Sequence, residues 1–141
     1  MVARRYQDLK AWQHAAQLRD GVLAITARSP LSNDRRICDQ LRRAAQSACA
    51  NLAEGFGRYG PREFAHFVGI ARSSLDEVQE HLRYCQLAGQ ISNEEARRLT
   101  QLASEGAATC TGLMRYLMSP AAAQNAGLRV RTRKNQDPSQ S

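Results

Sequence analysis

Glu63-Phe64-Ala65-His66 carries the Glu-x-x-His spacing with which helical bundles hold paired iron or manganese ions. Such a centre needs a second copy of the motif on another helix and two further inward glutamates. This chain has no second copy. Glu63 and His66 also fall off the apolar stripe marked by Phe64, Phe67 and Ala71. Glu77 and His81, four residues apart, share a helix face that could clip a metal or simply form a surface pair, and the surface pair is the better reading. His14 stands alone. No serine has a histidine and a carboxylate in a recognisable order, and no glycine-rich loop follows a strand. The glycines around Arg58 lack the Lys and Ser/Thr of a phosphate loop. The expectation is a chain with no catalytic residues, no metal and no cofactor.

A different polar set stands out. Asn51-Leu52-Ala53-Glu54-Gly55-Phe56-Gly57-Arg58 puts an amide and a carboxylate into the last turns of an alanine-rich helix, followed by two glycines that close it. Asn51 shares a stripe with Ala44, Ala48 and Gly55, so its amide points at or beside the core. Left unpaired there it would cost about 1–3 kcal/mol. Ser73, Ser74 and Glu77 on the following helix are its best partners. Glu54 and Arg58, four apart, can pair with each other or across a subunit boundary. Three readings stay open for this cluster: fixing register between two helices, a contact between subunits, and a small-molecule or nucleotide site.

The third chemistry is positive charge. The net charge is +7. A surplus of three falls beyond Gly127, where Arg129, Arg131, Arg133 and Lys134 face Asp137, and Arg4 and Arg5 add two more. Arg35, Arg36, Arg42 and Arg43 point away from the Leu41/Ala44/Ala48 stripe, and Arg58 and Arg62 sit at the following corner. Arginine suits phosphate through its planar fork. These residues are the candidate nucleic-acid contacts, interspersed with Asp39, Glu63, Asp76, Glu80, Glu94 and Glu95. There is no helix-turn-helix, zinc finger or aromatic RNA-stacking motif, so binding would be to backbone and sensitive to salt.

Four helices must position these groups. Leu9, Trp12, Ala15, Ala16, Leu18, Val22, Leu23 and Ile25 mark the first, from about Asp8 to Ala27. Ile37, Leu41, Ala44, Ala45, Ala48, Leu52 and Phe56 mark the second, from Asn33-Asp34 to Phe56, with Gly55, Gly57 and Gly60 closing it. Pro61 suits the first turn of the third, whose face is Phe64, Phe67, Val68, Ala71, Leu75, Val78, Leu82 and Cys85, with Gly89 as a left-handed cap. Ser92 and Glu95 have capping-box spacing at the start of the fourth, which continues through Leu99, Ala103, Gly106, Cys110 and Leu117. Its small residues Ala103, Gly106, Ala107 and Cys110 invite close approach of another backbone. Short connections make sequential helices antiparallel neighbours. The expected fold is all-α, an up-down-up-down antiparallel four-helix bundle over residues 1–119, followed by a disordered basic C-terminal tail over 120–141.

Gln40-Leu41-Arg42-Arg43-Ala44-Ala45-Gln46-Ser47, Asn51 to Arg58, and Ile70-Ala71-Arg72-Ser73-Ser74-Leu75-Asp76-Glu77 together resemble the signature of the four-helix-bundle proteins encoded in intervening sequences of bacterial 23S ribosomal RNA genes. The resemblance covers roughly Tyr6 to Leu117. It implies closed rings, typically pentamers, and with them a non-catalytic particle associating with nucleic acid, plausibly structured RNA. It extends to accessory proteins of diversity-generating retroelements, which pair with a reverse transcriptase, so a protein-interaction module is the alternative. Ala48-Cys49-Ala50 and Arg72-Ser73-Ser74 depart from the family's pattern.

Bulk properties narrow the class further. A chain of 141 residues forms one domain with a real core. Aromatics are only 6% of residues, and Ala and Leu dominate, which favours helix over sheet. Cys38, Cys49, Cys85 and Cys110 lie singly in helical segments, without Cys-x-x-Cys, and read as small buried hydrophobes in a reducing compartment. The N-terminus lacks a signal-peptide pattern and no apolar run approaches the roughly 18 residues of a membrane span. The expected setting is cytoplasmic, with no membrane partner.

Overall fold

The structure is a computed structural model and describes residues 3–125. After a single 3₁₀ turn at Tyr6–Asp8 come α1 (Lys10–Thr26), α2 (Arg35–Phe56), α3 (Pro61–Leu87) and α4 (Asn93–Leu117), with a second 3₁₀ turn at Leu31–Asn33 between α1 and α2. Among the described residues there is no strand.

Local signals set the starts of α2, α3 and α4 and the end of α3. Asp34 caps α2, its carboxylate accepting from the Ile37 N–H at 3.3 Å. Pro61 occupies the first turn of α3, where a missing donor costs nothing. The Ser92 hydroxyl accepts from the Glu95 N–H at 3.1 Å, and the Glu95 carboxylate accepts from the Ser92 N–H at 3.2 Å, completing the expected capping box. Gly89 stops α3 with φ +69, as its spacing predicts, and the Gln90 N–H donates to the Cys85 carbonyl at 2.8 Å.

The four apolar stripes meet in one core. Leu18, Val22 and Ile25 of α1 join Leu41, Ala48 and Leu52 of α2, Val68, Leu75, Val78 and Leu82 of α3, and Leu99, Ala103 and Cys110 of α4, all almost fully buried. Burying one such aliphatic side chain contributes about 1.5–3 kcal/mol. Contacts between neighbours run in opposite residue order. Gly21 of α1 packs on Leu99 while His14 sits 3.7 Å from Glu105. Gly55 of α2 meets Phe64 and Phe67, while Ser74 reaches Ser47. Gly69 of α3 meets Met114, and Gln79 donates to the Thr100 carbonyl. This order is compatible with antiparallel packing of α1 on α4, α2 on α3 and α3 on α4. All four cysteines are buried as free thiols. Burial pushes Cys85 and Cys110 up to about 11.

Five expectations need correction. The first helix begins at Lys10, and Leu23 stands half exposed, because five residues past Leu18 is about 140° around the helix. Gly55 does not close α2. It lies inside the helix, buried, where a Cβ would meet the Cβ of Phe67 at 2.8 Å. At Gly106 the close approach is made by side-chain atoms of Leu75 and His14, not by backbone. Residues 120–125 are helical. Ser119 accepts from the Ala122 N–H at 3.4 Å, and Ala122 is buried, so the bundle extends past the expected boundary at 120.

Candidate nucleic-acid interface and polar seam

The α2–α3 seam holds the signature residues. Asn51 finds its partners on its own helix, not on α3. Its Nδ2 donates to the Ser47 carbonyl at 2.8 Å and lies 3.1 Å from the Ser47 hydroxyl. The helical i−4 carbonyl is close by construction, and it wins over the more distant α3 side chains. Ser47 is the residue that crosses the seam, its hydroxyl 3.0 Å from that of Ser74. Ser74 in turn reaches the Ile70 carbonyl at 3.1 Å. One proton order satisfies the whole chain: Asn51 amide to Ser47, Ser47 to Ser74, Ser74 to Ile70. The four-residue spacing from Ser47 to Asn51 is the signal that identifies Ser47 from sequence. Ser73 and Glu77 face solvent, and Glu77 pairs with His81 at 3.3 Å.

Arg58 closes the corner between α2 and α3. It donates to Glu54 at 2.6 Å and to Glu63 at 3.1 Å, and its guanidinium lies 4.9 Å from the Phe67 ring centre. The Glu54–Arg58 pair is as its spacing predicts. Glu63 is spent on Arg58, and His66 sits exposed with its ring edge-to-face with Phe67. Among the described residues no cluster of three His, Cys, Asp or Glu could hold a metal ion.

The arginines divide into two groups. Arg42 leans on α1, donating to the Thr26 hydroxyl at 3.1 Å with Asp39 at 3.6 Å. Arg58 is tied as described, and Arg28 pairs with Glu95 across the α1–α4 corner. Arg35, Arg36, Arg43 and Arg62 are exposed and carry no ion pair among the described residues, and Arg72, Arg83, Arg97, Arg98 and Arg115 are equally free. Of the six candidate contacts among the described residues, four therefore present an uncommitted guanidinium. Arg129, Arg131, Arg133 and Lys134 lie outside the described residues.

Two cavities flank these groups. One, of about 330 Å³, lies at the end of the bundle where α2 passes into α3, between Phe56, Phe64, Leu113 and Leu117, with Ala3 and Asn125 on its walls. The other, of about 320 Å³, lies between the start of α2 and the end of α3.

Residues 7–112 match the family described as 23S rRNA-intervening sequence protein. The chain belongs to that family. A search of curated proteins found no match. For a 23S rRNA-intervening sequence protein of this geometry, the matched span takes in α1, α2, α3 and most of α4, including the Ser47–Asn51–Ser74 chain and the Arg58 corner. No helix among the described residues is long and apolar enough to cross a membrane.

Proposed function

We propose that this protein is a non-catalytic, self-associating helical bundle that binds structured RNA through its arginine-bearing exterior. The observation that carries the reading is the set of exposed arginines without ion pairs, spread over α2, α3 and α4. Each is free to replace a counterion on a phosphate without first breaking an internal contact. The family's association with a ribosomal RNA gene supports RNA as the polyanion. Assembly into a closed ring, a pentamer as the sequence resemblance implies, multiplies a modest subunit charge into a strongly basic particle.

Such binding follows the phosphate backbone and the shape of the RNA. It should weaken steeply with salt, with a log–log slope of about −0.7 to −0.9 per phosphate neutralised. Fluorescence anisotropy with an RNA hairpin across a salt series tests this. Arg35→Gln, Arg36→Gln and Arg43→Gln should each reduce the slope by about one, while Arg42→Gln should change it less. A slope near zero, or no binding at low salt, overturns the reading. Light scattering coupled to size exclusion tests the assembly, and a lone protomer at all concentrations refutes it.

Exposed apolar residues favour a second reading, a module that docks on another protein such as a reverse transcriptase. Leu87 is 80% exposed and Leu23 is 50% exposed. Leu23→Asp and Leu87→Asp variants that still co-purify with such a partner would count against it.

A further inference from the structure

The cavity between the start of α2 and the end of α3 is lined by Asp34, Arg36, Gln40, Glu80, His81 and Tyr84, over Ile37. Its size, about 320 Å³, is at the lower end for small-ligand pockets and suits one nucleotide rather than an oligomer. Its polar groups differ in how far the fold has used them. Asp34 is committed: one carboxylate oxygen accepts from the Ile37 N–H and the other from the Gln90 amide at 2.9 Å. His81 is half committed, one ring nitrogen facing Glu77. The side chains of Arg36, Gln40 and Glu80 make no hydrogen bond or ion pair among the described residues, and the Tyr84 ring, 52% exposed, stacks on no other ring. Behind Asp34, the Gln90 Oε1 is the buried side-chain oxygen left without a partner among the described residues. The wall thus offers a cation, a flat aromatic face, an amide and a carboxylate in one recess, none of them engaged elsewhere.

That combination selects its ligand. A cationic peptide side chain would satisfy Glu80 and Tyr84 but would be repelled by Arg36. Inorganic phosphate would satisfy Arg36 and leave the ring and the carboxylate unused. A divalent cation finds no cluster of three ligands here. A ligand that is anionic at one end, flat in the middle and a double hydrogen-bond donor at its far edge uses the cation, the ring and the carboxylate together. We propose that this cleft binds a guanine nucleotide, with the base on Tyr84, its N1–H and N2–H donating to the Glu80 carboxylate, and its phosphate against Arg36. Guanine is singled out because its Watson–Crick edge presents two adjacent donors to one carboxylate, whereas adenine presents a single amine there. The same chemistry is met in a free mononucleotide and in an unpaired guanosine extruded from a folded RNA. Proteins read unpaired RNA bases by stacking and by their Watson–Crick edges. Only the second source rests on the RNA reading above.

The test titrates the full chain with guanosine 5′-monophosphate and adenosine 5′-monophosphate by calorimetry. In parallel it measures anisotropy of two RNA hairpins that differ only by G or A at one loop position. The expected result is binding of the guanine nucleotide at least tenfold tighter than the adenine nucleotide, a matching preference for the G-loop hairpin, or both. Stacking on an aromatic ring accounts for about five- to a hundredfold in affinity. Tyr84→Ala should therefore weaken the preferred ligand tenfold or more, and Glu80→Gln, which sets an amide donor against one of the two guanine donors, should do the same, with helical circular dichroism unchanged, since both side chains face solvent. Gln17→Ala, exposed on α1, should leave the G-over-A preference intact. Guanine nucleotide binding without hairpin binding would confirm the cleft and refute RNA as the partner. Hairpin binding with a G preference, but no response to the mononucleotide, would confirm the cleft and assign it to RNA. Equal behaviour of G and A in both formats overturns the proposal, as does guanine binding that both variants leave unchanged.

Discussion

Replacing Gly55 by alanine sets two well-calibrated effects against each other. Alanine is favoured over glycine in a helix interior by about 1 kcal/mol. At this position, though, the new Cβ would lie 2.8 Å from the Cβ of Phe67, 2.9 Å from Cδ1 of Phe64 and 3.3 Å from the Phe64 carbonyl oxygen. Carbon atoms pack best at about 3.5–4.0 Å, so α2 and α3 would have to separate locally by roughly 0.7–1.2 Å. A Cβ and a carbonyl move only with their backbone, so no side-chain rotation relieves the clash. Overpacking of this kind costs about 1–3 kcal/mol. The net expectation is a loss of about 1 kcal/mol, reaching about 2. For a domain of this size that is a fall in Tm of about 3–5 °C per kcal/mol. Gly112 supplies the control. It is exposed on α4, and a Cβ there meets nothing within 4 Å. Gly112→Ala should keep the propensity gain and raise Tm by a few degrees. Thermal unfolding followed by circular dichroism compares the three proteins directly. If Gly55→Ala melts at or above the parent while Gly112→Ala behaves as expected, the claimed close approach of α2 and α3 is wrong.

Two further outcomes follow from the polar groups. Burial works against the charged form of Glu95, but the Ser92 N–H, the Arg28 guanidinium and the Ser92 hydroxyl outweigh it and hold its carboxyl below the ordinary value of 4.5. The folded carboxyl therefore holds its proton less tightly than the unfolded one. Its stabilisation is complete above 4.5 and drains away as pH falls through the folded value. Glu95→Gln keeps the capping geometry and removes the charge, so its deficit in urea midpoint should be present at neutral pH and shrink in acid. A deficit that ignores pH contradicts the assignment. Ser47→Ala removes the seam hydroxyl, yet Asn51 keeps the Ser47 carbonyl and Ser74 keeps that of Ile70. The expected cost is about 1 kcal/mol by urea unfolding, and a loss above about 3 kcal/mol would mean the seam is organised differently.

How far the sequence could be read depended on the range of the interaction. The helices, the Ser92–Glu95 box and the Gly89 cap rest on residues within one or two turns of each other, and these were legible. So was the Glu54–Arg58 pair. Gly55 was misread because a glycine near a helix end has two explanations, a stop or a close approach, and only the position of Phe64 and Phe67 on the next helix chooses between them. Asn51 was placed on the right face with the wrong partners, because its own helix offers a carbonyl before α3 offers a side chain. Arg42 looked like its exposed neighbours until Thr26 was brought to it, and Glu63 and Phe67 join Arg58 only through the turn into α3. The cleft of Arg36, Gln40, Glu80 and Tyr84 was invisible for the same reason: its two walls are about forty residues apart in sequence and meet only through the register of α2 against α3.

Ala3 and Asn125 stand on the walls of the same cavity, at the pole where α2 passes into α3. That pole, beside Arg4 and Arg5, is the opposite end of the bundle from the Tyr84 cleft. A fluorophore attached at residue 3 or 125 should leave that cleft unobstructed. The same polarity lets a label at either of those two residues test which way an RNA lies along the bundle, if one is bound.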